Sequence, residues 1–140
     1  MKKQETILLI EDDTVDQMTV KRALKDINII NPLKISNNGE EALEFLRDEK
    51  NELPGIILLD LNMPRMNGVE FLKIAKRDSR IKSIPVVVLT TSKEEQDRIN
   101  TFDLGVAGYV IKPVDYLQFV EVIRTINLYW TLSESPRIGT

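Results

Sequence analysis

Four short stretches of this 140-residue chain carry the side chains that could do chemistry. They are Glu11-Asp12-Asp13, Asp60-Leu61-Asn62-Met63-Pro64, Thr90-Thr91-Ser92 and Lys112-Pro113. Each follows directly on an apolar run. Together they offer carboxylates, hydroxyls, an amide and an amine. The chain has no histidine and no cysteine. That removes Ser/His/Asp catalysis, His- or Cys-ligated zinc, and any role as a phosphohistidine donor. Carboxylates held together repel unless a cation or a proton compensates. Oxygen ligands without nitrogen or sulfur suit a hard ion such as Mg2+, which takes one or two carboxylates and keeps sites for water and phosphate oxygens. A lysine beside such an ion can stabilise a transferring phosphoryl group. From the residues alone, the reading is a magnesium site able to handle phosphate.

Each stretch also has a plainer reading. Glu11-Asp12-Asp13 can be a solvated acidic turn that favours the next helix N-terminus. Asp60 can open a turn at Met63-Pro64. Lys112 can be a surface lysine, Thr90 and Ser92 helix caps, and Tyr109 a half-buried strand aromatic. The chemical reading requires all four stretches to meet at one place, so the elements that position them decide between the two.

Those elements alternate five times. The apolar runs are Ile7-Leu8-Leu9-Ile10, a weaker Leu33 to Ser36, Ile56-Ile57-Leu58-Leu59, Val86-Val87-Val88-Leu89 and Tyr109-Val110-Ile111. Short, continuous and mostly rich in Val and Ile, they predict strands buried on both faces. A capping residue follows each run, with Glu or Gln three positions on: Thr14 with Gln17, Asn38 with Glu41, Asn67 with Glu70, Ser92 with Glu95, and Asp115 with Gln118. Such pairs mark helix starts. Apolar residues then recur at helical spacing: Val15, Met18, Leu24 and Ile27; Ala42, Phe45 and Leu46; Phe71, Leu72 and Ala75; Ile99 and Phe102; Val120, Ile123 and Ile126. Strand–helix alternation implies an α/β fold, a parallel sheet covered by helices on both faces. The natural solution is a five-stranded doubly wound sheet with five helices. Its order 2-1-3-4-5 is adopted by analogy with flavodoxin-like folds. In that architecture ligands sit beyond the carboxyl ends of the strands, where the four chemical stretches lie.

Composition narrows the classes further. Hydrophobic content of 42% and charged content of 29% suit one globular domain. The net charge of -3, without a basic block, gives no footprint for nucleic acid. No apolar stretch approaches the ~20 residues of a membrane span. The absence of cysteine agrees with a cytoplasmic location.

At these residues the chain resembles the response-regulator receiver family of bacterial two-component systems. The matching pieces are Leu8-Leu9-Ile10-Glu11-Asp12-Asp13, Leu58 through Gly68, Pro85 through Thr90, and Gly105 through Pro113. The expected receiver domain spans 5–130, with 131–140 a frayed tail. The resemblance implies that Asp60 is the phosphoacceptor. It implies that Glu11 and Asp12 bind Mg2+ with Asp60, and that the backbone carbonyl of Asn62 completes the metal site. Thr90 would bond the phosphoryl group and Lys112 would pair with it. Tyr109 would be the aromatic switch, and Pro113 would follow a cis peptide. Asn62 and Ser92 would tune dephosphorylation. Glu11 stands where the family uses either acid. Thr91 stands where a small residue is usual, which narrows access to the phosphoryl group.

The implied partners are a histidine kinase or histidine phosphotransfer protein and a downstream protein target. The ending Leu128-Tyr129-Trp130 looks like the small single-domain receivers paired with bacterial phytochromes. Surplus apolar residues there (Phe119, Val122, Tyr129, Trp130, Leu132) predict either a fold-back onto the domain edge or a homodimer. The dimer would use the helix after strand 4, strand 5 and the last helix, with Tyr129 and Trp130 as anchors. A phosphorelay intermediate that passes its phosphoryl group onward is the alternative function. Three rivals are weaker. A haloacid-dehalogenase-type phosphatase needs an acid where Asn62 stands. A flavin module needs a phosphate loop where Glu11-Asp12-Asp13 stands. A degenerate scaffold would not keep the full residue set.

Overall fold

In a computed structural model the chain forms one parallel five-stranded sheet in the order β2-β1-β3-β4-β5. Residues 5–61, 66–90 and 105–132 are described. The strands are β1 (Ile7–Ile10), β2 (Leu33–Ser36), β3 (Ile56–Asp60), β4 (Val86–Thr90) and β5 (Gly108–Ile111). The described helices are α1 (Thr14–Asp26), α2 (Gly39–Arg47), α3 (Gly68–Ala75) and α4 (Tyr116–Leu132). The helix expected from Ser92, with Ile99 and Phe102, lies outside the described residues, as do Asn62 and the side chain of Tyr129.

The apolar runs become strands because both faces of the sheet are covered. Side chains alternate across a strand, and two cores result. Leu8, Ile10, Ile57, Leu59, Val86 and Val88 pack with Leu43, Leu46, Phe71 and Leu72 of α2 and α3. Ile7, Leu9, Ile56, Leu58, Val87 and Leu89 pack with Val20, Leu24, Phe119 and Ile123 of α1 and α4. Each such side chain contributes about 1.5–3 kcal/mol on burial.

The caps set where helices leave the strand ends. Asn38 accepts from the Glu41 backbone N–H at 2.9 Å, and Asn67 from that of Glu70 at 3.0 Å. Asp115 accepts from that of Gln118 at 3.2 Å. The first helix corrects the sequence reading. Its cap is Asp13, whose Oδ1 accepts from Val15 N at 2.7 Å and Asp16 N at 3.3 Å, and Thr14 is the first helical residue. Its inward stripe is Val20, Ala23 and Leu24, while Val15 and Met18 are 70% and 65% exposed.

The C-terminal end of α4 folds back on the domain edge. Phe119 is buried in the core, and Trp130 packs against the same cluster. Both therefore spend apolar surface on their own domain. Leu117 and Leu128 of α4 remain exposed.

Candidate phosphoacceptor and metal site

The register of the sheet brings the sequence-predicted residues to one edge. Ile10 of β1 pairs with Leu59 of β3, so Glu11 and Asp60 emerge side by side. Thr90 of β4 pairs with Ile111 of β5, so Lys112 follows immediately. Two backbone bonds extend the ladder past the strand ends: Glu11 N donates to Ser36 O at 3.0 Å, and Lys112 N to Thr90 O at 2.7 Å. Gln17 of α1 donates to the Glu11 carbonyl at 2.6 Å, which fixes the turn between β1 and α1.

Carboxylate oxygens of Glu11, Asp12 and Asp60 all lie within 4.8 Å of one another. Ligands across an Mg2+ octahedron are about 4.2 Å apart, twice the ~2.1 Å bond. The three acids therefore fit one hard cation, and the donor set is all oxygen. Glu11 and Asp60 are buried, while Asp12 is exposed and faces the solvent from which an ion and its waters arrive. Asn62, expected to add its carbonyl, lies outside the described residues, as do Thr91 and Ser92.

Lys112 supplies the cation of the site. Its Nζ lies 2.9 Å from Glu11 Oε1, 3.6 Å from Asp16 Oδ2 and 3.8 Å from Asp60 Oδ1. Burial pushes the Lys112 ammonium down, but Asp60 and then Glu11 and Asp16 outweigh it and hold it above its ordinary value. Glu11 shows the opposite balance. Burial first, then a hydrogen bond with Asp60, pushes its carboxyl up to about 8 against the pull of Lys112. Without a metal, one lysine cannot compensate the clustered acids.

Thr90 is fully buried at the end of β4. Tyr109 is half-buried and packs against the core on the α2–α3 side. One expectation is corrected: no cis peptide occurs among the described residues, so Lys112–Pro113 is trans. Trans is the lower-energy isomer of an isolated X–Pro bond, and here it already delivers Lys112 to the acids.

Sequence reasoning missed Asp16 as a partner of Lys112. A signal existed. Asp16 is the acidic residue in the first turn of α1, the helix that leaves directly from the acid stretch, so it stays close to the strand ends.

The residue set and geometry agree with what comparison finds. The response regulator receiver domain family matches residues 7–124. Response regulator Rcp1 of Synechocystis sp. (strain ATCC 27184 / PCC 6803 / Kazusa) is 38% identical over 128 residues, covering 89% of this chain and 87% of Rcp1. The phosphorylated cyanobacterial phytochrome response regulator RcpA superposes with a TM-score of 0.85 at 33% identity, covering 95% of this chain and 99% of RcpA. The Mn2+-bound form of Rcp1 gives 0.83 at 36% identity, covering 94% and 99% of the two chains. With a family match that spans residues 7–124, and so includes Glu11, Asp60 and Lys112, the chain belongs to the response regulator receiver domain family.

Proposed function

We propose that this protein is a single-domain response regulator, with its receiver domain over 5–130, that accepts a phosphoryl group on Asp60. The observation that carries this reading is the meeting of Glu11, Asp12, Asp60 and Lys112 Nζ at one sheet edge. A carboxylate oxygen of Asp60 attacks phosphorus as the phosphorus–nitrogen bond of a phosphohistidine donor breaks. The product is an acyl phosphate. Mg2+ held by Glu11, Asp12 and Asp60, with the Asn62 carbonyl, would neutralise charge on the phosphoryl oxygens. Lys112 pairs with one of those oxygens, and the Thr90 hydroxyl is drawn to another. Tyr109 then turns inward and reports the change to a downstream protein.

The similarity to Rcp1 and RcpA supports a histidine kinase as donor, a phytochrome in particular. Among the described residues no helix is long and apolar enough to cross a membrane, which accords with a cytoplasmic place of action. The test is incubation with acetyl phosphate and Mg2+, read by intact mass. The wild type gains one phosphoryl group and Asp60→Asn gains none. A gain that persists in Asp60→Asn refutes the assignment.

The homodimer remains part of this proposal in altered form. Trp130 is engaged by its own core, so the exposed Ile111, Leu117 and Leu128 would carry the interface instead. Sedimentation with and without a phosphoryl mimic tests it; a chain that stays monomeric at high micromolar concentration in both states rules it out.

A further inference from the structure

Lys112 is shared among three carboxylates, and the three are not equivalent. Glu11 and Asp60 belong to the cluster that fits a divalent cation; among the described residues that cluster contains only these two and Asp12. Asp16 stands apart, in the first turn of α1, with its backbone N–H bonded to the Asp13 cap. A cation in the cluster compensates Glu11 and Asp60 and repels the Lys112 ammonium. The carboxylate then left to Lys112 is Asp16, at 3.6 Å.

The surroundings suit such a hand-over. Asp16 and Lys112 both line a cavity of about 310 Å3 between α1 and the segment that holds Pro113 and Tyr116, so the ammonium has room to swing. The other cation on that wall, Arg22, is already engaged. It lies 4.1 Å from the Tyr116 ring centroid and 3.9 Å from Asp26. Asp16 is half exposed, which limits the strength of its pair. The Lys112 side chain, however, is only 13% exposed, so water screens the pair from one side alone.

We infer that Asp16 is a positioning residue for Lys112. It holds the ammonium on the α1 side of the site, and an arriving phosphoryl group must draw the ammonium away from it. This rests on the phosphoacceptor reading above. Asp16 thereby weakens the hold of the site on a phosphoryl group.

The experiment compares wild type, Asp16→Asn and Asp16→Glu. Affinity for beryllofluoride in the presence of Mg2+ is measured by calorimetry. The side-chain ammonium of Lys112 is followed by 15N NMR in the same proteins without beryllofluoride. Asp16→Asn is expected to bind beryllofluoride about two- to fivefold more tightly, the worth of a partly exposed ion pair, and to shift the Lys112 ammonium signal. Asp16→Glu, which keeps the charge, returns both toward wild type. Unchanged or weaker binding in Asp16→Asn overturns the inference. So does tighter binding with an unmoved ammonium signal, because that is a long-range charge effect. If wild type binds no beryllofluoride and gains no phosphoryl group, the phosphoacceptor reading falls. The ammonium signal then decides separately whether Asp16 holds Lys112, an unmoved signal refuting it.

Discussion

Replacing Glu11 by Gln should stabilise the metal-free protein, and the gain should grow with pH. The buried Glu11 carboxyl is raised from 4.5 to about 8 by burial and by Asp60. Between those two values the folded chain holds a proton that the unfolded chain has released. Stability therefore falls as pH rises through this window, by up to about 1.4 kcal/mol per pH unit. Across the whole window from 4.5 to about 8 that approaches roughly 5 kcal/mol. Glutamine cannot ionise, so Glu11→Gln escapes the loss, while its amide can still accept from Lys112 and donate to Asp60. We predict a gain of about 2–4 kcal/mol near pH 7.5 and almost none near pH 5. At roughly 3–4 °C per kcal/mol for a domain of this size, that is a rise in Tm of about 6–16 °C. The chain contains no histidine, so few other groups titrate between pH 5 and 8 and the slope reports Glu11 cleanly. The assay is thermal unfolding in EDTA from pH 5 to 8, repeated with millimolar Mg2+. Magnesium binds the ionised folded form, so it should restore the wild type and leave Glu11→Gln almost unmoved. A variant whose advantage does not grow with pH, or that gains as much from Mg2+ as wild type, refutes the reasoning.

Three further outcomes are expected. Asp12→Asn should cut Mg2+ affinity at least tenfold by calorimetry while changing urea stability by less than about 0.5 kcal/mol, because Asp12 is exposed; unchanged metal affinity contradicts its place in the cluster. Exchanging Asn62 or Ser92 for a charged residue should alter the decay rate of the phosphorylated form, followed by intact mass, without altering the fold; identical decay curves place that control elsewhere, Thr91 being the next residue to test. Phe71→Ala, which empties a fully buried site in the α2–α3 core, should cost about 3–5 kcal/mol in urea unfolding; a cost under about 1 kcal/mol would mean that core is looser than described.

The positions of β1, β3 and β4 were legible because each is buried on both faces, which forces a continuous apolar spelling such as Ile56-Ile57-Leu58-Leu59. β2, at the sheet edge and only partly buried, has the weaker spelling Leu33-Lys34-Ile35-Ser36 for the same reason. The caps at Asn38, Asn67 and Asp115 were legible because an Asn or Asp side chain satisfies orphan N–H groups locally. At α1 two candidates stand side by side, and Asp13 takes the cap from Thr14 because it is the residue with extended backbone at the turn. Trp130 could not be assigned from spelling alone. Whether an apolar helix end folds back or stays open depends on the crevice it meets, here lined by Ile7, Leu24 and Ile29.

Several residues that break the patterning rules lie at or just after the strand ends that form the site. Glu11 and Thr90 are buried polar groups at strand ends, where apolar residues would be more stable. Val15 and Met18 are exposed apolar residues on the first turns of the helix that follows the acids. Asp13 caps that helix one residue earlier than the capping pair Thr14–Gln17 predicts, and Asp16 in its first turn lies 3.6 Å from Lys112 Nζ. A stability-driven sequence would remove these conflicts one by one. Under the proposed function the polar ones find a reason: the buried acid would take a cation, the buried hydroxyl would meet the phosphoryl group, and the lysine would be held by a third carboxylate until that group arrives. On that reading local rules fail here together because the same few residues would have to satisfy two states of the molecule, with and without the added charge, and a sequence pattern describes the packing of only one.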